Sequence, residues 1–115
     1  MVISLAGNAI MADQPKMIDA AIAAEARQFI PSEFGVDISQ GPFLTERYFR
    51  DKQIIRNHLR ARAKEVSVFK FTLVLIGAFA ETFALSPTFG LDAKEKKLNF
   101  HGDPETEYSF SSMPE

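Results

Sequence analysis

Tyr48 and Lys52 stand four residues apart and carry the first hint of chemistry in the chain. On a helix this spacing sets a phenol beside an ammonium on one face. A neighbouring positive charge favours the phenolate, which helps a phenol exchange a proton with a carbonyl substrate. The pattern is common among helices. Lys52 poses a second question, because Tyr48, Lys52, Ile55 and Leu59 fall within about 60° of one another on a helical wheel. That stripe is expected to face a sheet. Either the lysine stem packs while its ammonium reaches water at the helix edge, or the ammonium points into a cleft beside the sheet. In a cleft, partial desolvation lowers its pKa and suits it to acid–base work or to holding a ribose hydroxyl.

Composition removes other chemistries. The chain has no cysteine and only two histidines, His58 and His101, so no metal site is expected. Thirteen basic against fifteen acidic side chains give a net charge of -2, and a pI near 5.7 gives no attraction to phosphate backbones. No nucleic-acid partner is expected. With 46% hydrophobic and 24% charged residues over 115 positions, the chain suits one globular domain spanning 1–115. The longest apolar run, 71–80, is too short to span a bilayer. The start MVISLAGNAI lacks a basic segment and is followed by Asp13, unlike a signal peptide. The expectation is a cytoplasmic chain with no membrane partner.

The elements that must position Lys52 read as β-α-β-α-β with an irregular end. Val2 to Ala6 is a short apolar run closed by Gly7, expected as a buried strand. Asp13 near an N-cap and Pro15 in a first turn open a helix over 15–26, with Met17, Ile18, Ala21, Ile22 and Ala24 along one face. Gln28 to Ile30 reads as a strand stopped by Pro31. Two strands joined by such a crossover favour a parallel pair. After a loop over 35–47, a helix is expected from Thr45 or Glu46 to Lys64, with Arg60, Arg62 and Lys64 at the negative end of its dipole. The run from Val68 to Ile76, VFKFTLVLI, reads as a central parallel strand. Leu98 to His101 and Tyr108 to Phe110 are further strand candidates, and the charge run from Asp92 to Lys97 reads as a solvated turn.

Three segments together resemble one family, the NmrA-like and isoflavone-reductase-like branch of the short-chain dehydrogenases. The run from Arg27 to Gly35, RQFIPSEFG, is similar to that branch's RFIPSEFG signature. Val2-Ile3-Ser4 with Gly7, then Asp13-Gln14 and Lys16 to Ala20, are similar to the strand and helix before it. Lys52 with Arg56 matches a K-x-x-x-R helix after it, with Phe49 as the aromatic three residues before the lysine. Downstream, Thr72-Leu73-Val74 and Gly77-Ala78-Phe79 resemble the next strand and a G-x-F turn. The likeness covers roughly residues 2–83. It implies an α/β chain with a partial NAD(P)-binding Rossmann fold, a parallel sheet with flanking helices. It also implies NADP as cofactor and a small, often aromatic substrate. By the same resemblance Lys52 takes the place of the catalytic lysine, Ser4 and Gly7 lie where the backbone passes the cofactor, and Phe34 is the aromatic near the nicotinamide. Tyr48 is outside the pattern. Glu33 and Asp37 fall near Lys52 in the implied fold, so that either is able to pair with it, and Glu33 is equally suited to capping a turn.

The dinucleotide fingerprint G-x-G-x-x-G/A is absent from these residues, and no basic residue that selects NADPH is evident. The resemblance begins at the fourth strand of the fold, so the chain is expected to be one incomplete domain lacking the N-terminal strands. An open sheet edge is expected to make it marginally stable and prone to self-association. The functional expectation is a fragment of an NADP-dependent reductase, inactive by itself. The alternatives are a non-catalytic dinucleotide-sensing regulator or interaction module, or a truncated chain with no function.

Overall fold

A computed structural model of the chain describes residues 1–39, 41–81, 91–92, 94–98, 103, 105, 107 and 109–112. They divide into two compact units, Met1–Glu33 with Asp37–Val74, and Phe34–Val36 with Leu75–Glu115.

The first unit runs β1 (Val2–Ile3), α1 (Gln14–Ala23), β2 (Gln28–Ile30), α2 (Arg50–Glu65) and β3 (Lys70–Phe71). The three strands form one parallel sheet in the order β1-β2-β3, with Val2 beside Phe29 and Phe29 beside Phe71. Each helix is the crossover between neighbouring strands, as parallel pairing requires. Phe29 is fully buried and gathers Met11, Ile18, Ala21, Ile55, Leu59 and Phe69 into one core. Both helices therefore cover the sheet face that carries Phe29. This is the α/β arrangement of a partial Rossmann fold, as the resemblance implies.

Several elements depart from the sequence reading. The first run pairs only over Val2–Ile3, and Ile3 and Leu5 are 50% and 79% exposed rather than buried. Alternation along the strand puts them on the face opposite Phe29, which the helices do not cover. Helix α1 ends at Ala23, where Glu25 turns to φ 58° and the Ala26 N–H bonds back to Ala21 O at 2.9 Å. Asp13 does sit at the N-cap, but its carboxylate accepts from Lys16 at 2.7 Å instead of from the backbone. Helix α2 begins at Arg50, after a 3-10 turn over Arg47–Phe49, later than the expected Thr45 or Glu46. The strand expected over 68–76 pairs with β2 only at Lys70–Phe71, pairs again at the isolated Gly35–Leu75 bridge, and lies at one side of the described sheet, so β2 is the central strand. The cause is β2 itself. It has three residues before Pro31, and the Thr72 N–H to Phe29 O bond is the last its ladder offers.

The second unit pairs β4 (Ala78–Phe79) in parallel with β7 (Phe110–Ser111), and β5 (Leu91–Asp92) antiparallel with β6 (Lys97–Leu98). Gly35 bridges Leu75, and Gly35 O accepts the N–H groups of Ile76 and Gly77. Gly77 has φ 73°, and a Cβ there falls 2.2 Å from Ser109 O, so only glycine fits. The charge run is an exposed turn in which Asp92 Oδ1 accepts the N–H groups of Lys94 and Glu95. Of the two late strand candidates, Leu98 and Phe110 are paired, whereas 99–101 and Tyr108 lie outside the described residues.

Candidate functional site

Helix α2 presents three residues to the loop that follows β2, and the site grows from that contact. Lys52 Nζ donates to the Glu33 main-chain carbonyl at 2.5 Å. Gln53 Nε2 donates to Ile38 O at 2.7 Å. Arg56, one turn beyond Lys52, grips the Glu33 carboxylate with both arms of its fork, Nε to Oε1 at 2.7 Å and Nη2 to Oε2 at 3.1 Å. The two side chains are 2% and 1% exposed, a buried bidentate pair. Asp37 approaches Arg56 Nη1 at 3.4 Å and also accepts from the Ser39 N–H and hydroxyl, both at 2.9 Å. The open question about the acids is thereby resolved: Glu33 pairs by its side chain with Arg56 and offers Lys52 its backbone.

Electrostatics follow from this geometry. Burial lowers the pKa of Lys52 below 10.5; the Glu33 carboxylate works against that and the Arg56 charge adds to it. Burial alone disfavours the charged form of Arg56, yet hydrogen bonding and attraction from Glu33, with Asp37, outweigh it and hold the guanidinium firmly charged. Asp37 is pulled below 3.8, first by the Ser39 N–H and then by the Ser39 hydroxyl.

Lys52 also lines a cleft of about 250 Å³ with Asn8, Met11, Tyr48 and Asp51. Asn8 and Met11 come from the 3-10 segment Asn8–Asp13 that leaves the carboxyl end of β1. Cleft placement at that end of a parallel strand is the general rule for α/β sheets. Lys52 is half-buried and lines this cleft, which favours the second of its two sequence readings, while its Nζ is bonded to Glu33 O. Tyr48, which lines the same cleft as Lys52, belongs to the 3-10 turn before α2 and is 75% exposed, its ring edge-on to Phe49 at 5.1 Å.

The other sequence-named residues lie elsewhere. Ser4 is buried, its N–H bonded to Ile30 O at 2.8 Å, in an apolar groove along β1 that includes Ile3, Leu5, Ile10 and Met17. Gly7 precedes the 3-10 segment, and a Cβ added there meets nothing within 4 Å. Phe34 belongs to the second unit and has φ 31°, a strained value for a residue with a side chain.

Two residues gain importance only from the structure. Gln14 is fully buried at the start of α1; its Oε1 accepts the Ser32 N–H at 2.9 Å and its Nε2 donates to Met11 Sδ at 2.8 Å. The Ser32 hydroxyl in turn donates to Ala6 O at 2.8 Å, so the segments after β1 and β2 are tied together. Arg56 is the other. It lies about 40° from Lys52 on the wheel, just outside the apolar stripe, and meets the acids of the preceding loop.

No curated protein and no solved structure matches the chain. A family model described as NmrA-like family does match, over residues 1–107. Nearly the whole length is covered, including both crossovers and the loop gripped by α2. The chain belongs to the NmrA-like family, whose members in general bind a nicotinamide dinucleotide.

Proposed function

We propose that this chain is part of a reductase that uses NADPH to reduce a small, aromatic substrate, with Lys52 as its proton-transferring or ribose-orienting group. The observation that carries this reading is the half-buried Lys52 ammonium in the cleft. The residues present fit the sugar-and-nicotinamide end of the cofactor. Lys52 has three donors, of which one is committed to Glu33 O, and Asn8 adds an amide. Met11 and the Tyr48 ring offer apolar surface. At about 250 Å³ the cleft falls short of the roughly 300–1,000 Å³ of complete ligand sites, which suits one end of a dinucleotide. Ser4, Gly7 and Phe34 remain proposed cofactor contacts through the resemblance.

Two-electron reduction needs a hydride and a proton, and the reduced nicotinamide supplies the hydride. Lys52 supplies the rest. Its lowered pKa makes the ammonium a better acid, so it gives a proton more readily to an oxygen on which negative charge develops.

A second reading, a dinucleotide-responsive regulator without chemistry, rests on the same bond. Lys52 ties α2 to the loop after β2, so a ligand that recruits the ammonium releases the Glu33 carbonyl and moves that loop.

The test is a titration of the full chain with NADPH, followed by amide and side-chain NMR. Shifts at Lys52, Asn8 and Tyr48 with a Kd of millimolar or weaker are expected, because most of the binding energy of a dinucleotide lies outside this cleft. No shift at these residues up to about 10 mM NADPH overturns the cofactor assignment. Turnover separates the two readings in a longer relative that carries this segment. There, Lys52→Ala lowers the rate by orders of magnitude in a reductase, whereas a sensor shows no turnover with or without the change.

A further inference from the structure

We propose that the Arg56–Glu33 ion pair is a positioning device for Lys52: by gripping the Glu33 side chain it fixes the Glu33 main-chain carbonyl that holds the ammonium of Lys52, a residue lining the cleft. This rests on the reading of Lys52 above and gives a role to two residues that touch no ligand.

The geometry is a ruler. Lys52 and Arg56 are one turn apart on a rigid helix, about 6 Å along its axis. Both reach the same residue, one at its backbone and one at its carboxylate. A lysine stem has four rotatable carbons and keeps no orientation by itself, whereas a guanidinium fork bound through two bonds fixes distance and plane. The Glu33 N–H is also held by Pro31 O at 2.8 Å, and Gln53 anchors Ile38 O further along. The acceptor carbonyl is thus immobilised from both directions. A buried ion pair is a poor way to add stability, since apolar residues of equal volume do as well or better. Its presence beside Lys52 calls for an arrangement that only this pair provides. The precision matters because a misplacement of about 1 Å at a reacting group costs about 100-fold in rate.

The charged and titratable groups around the ammonium are Glu33 from the loop, Arg56 and Asp51 from α2, and Tyr48 from the turn before it. The experiment follows the Lys52 side-chain signal by NMR in the full chain labelled at lysine, assigned by its loss in Lys52→Met. In the parent, Lys52 titrates below 10.5. Arg56→Lys keeps the charge and loses the fork. The expected result is a Lys52 that returns to the ordinary value near 10.5 and merges with the exposed lysines. A folded Arg56→Lys in which the Lys52 titration stays where the parent has it overturns the proposal, because a purely structural pair alters stability and leaves that titration alone. If Arg56→Lys does not fold, Glu33→Asp, which keeps both charges and shortens the carboxylate arm, is read for the same two outcomes. NADPH added to the parent separates the two claims. A Lys52 signal that ignores NADPH counts against the cofactor reading, while an unmoved titration in the variants counts against the positioning role.

Discussion

Breaking the Arg56–Glu33 pair by halves is expected to cost far more than removing it whole. Both side chains are almost completely buried, and two bonds at 2.7 and 3.1 Å join them. Arg56→Met leaves the Glu33 carboxylate desolvated without its partner, and Glu33→Met leaves the guanidinium with only the half-exposed Asp37 at 3.4 Å. Each single change is expected to cost about 3–5 kcal/mol. The Glu33→Met/Arg56→Met double variant leaves neither charge and is expected within about 2 kcal/mol of the parent. The coupling in the double-mutant cycle is therefore roughly 4–12 kcal/mol, far beyond the few tenths expected of independent sites. At about 0.05–0.15 kcal/mol per residue, a chain of this length has roughly 6–17 kcal/mol in all, so each single change removes a large share. The assay is urea unfolding followed by circular dichroism. With an m-value of about 2 kcal/mol/M, a 4 kcal/mol loss lowers the midpoint by about 2 M. Singles that cost less than about 1 kcal/mol, or a double equal to their sum, refute the reasoning.

Other consequences are smaller. Gln14→Leu strands the Ser32 N–H, and a loss of about 1–3 kcal/mol in urea unfolding is expected. The carboxyl of Asp37 sits below 3.8 when folded, so its stabilising contribution is complete above 3.8 and fades as pH falls through the lower folded value. The stability difference between the parent and Asp37→Asn should therefore shrink on acidification below 3.8; a difference that grows contradicts the assignment. β1 lies at one side of the described sheet, and no charged side chain occurs between Met1 and Ala12. A second copy of the chain is expected to pair along it. Light scattering should show Ile3→Lys more monomeric than the parent, and an unchanged mass distribution places any association elsewhere.

The hydrophobic pattern made the order of elements legible because it depends on local periodicity. Gln28–Ile30 was readable to the residue, since Pro31 removes a ladder donor at a fixed place. What the pattern does not carry is pairing length. The apolar run after Val68 has strand composition along its whole length, but β2 gives it partners for two residues. Of the run Val2 to Ala6, expected to be buried, Ser4 and Ala6 are, whereas Ile3 and Leu5 are exposed for a related reason: a parallel strand needs cover on both faces, and the helices supply it on one. At the site, Lys52 stood out as a cation in an apolar stripe. Glu33 entered only through the resemblance, as a partner for Lys52 or a turn cap, because its two roles, backbone acceptor for Lys52 and buried counter-ion for Arg56, follow from a contact with a helix some twenty residues away. Gln14 was equally hidden, its neighbours Ser32 and Met11 being brought together by the crossover alone.

The three α2 residues that contact the loop divide the work by their chemistry. Gln53 is neutral and binds a carbonyl, which ties the chain without placing charge near the cleft. Arg56 stays charged under any ordinary condition. Lys52 alone among the three has a proton that burial makes easier to lose. An arginine in its place holds the carbonyl but gives up no proton, and a lysine in place of Arg56 loses the fixed plane of the fork. The order along the helix matters as well. Lys52 is in the first turn, where the helix dipole disfavours a positive charge and pushes in the same direction as burial, whereas Arg56 lies beyond that turn and is neutralised by its carboxylate. Exchanging the two residues therefore does more than swap two cations: it places the permanent charge in the cleft and the titratable one in the core. A K-x-x-x-R spacing read only as two positive charges misses this asymmetry.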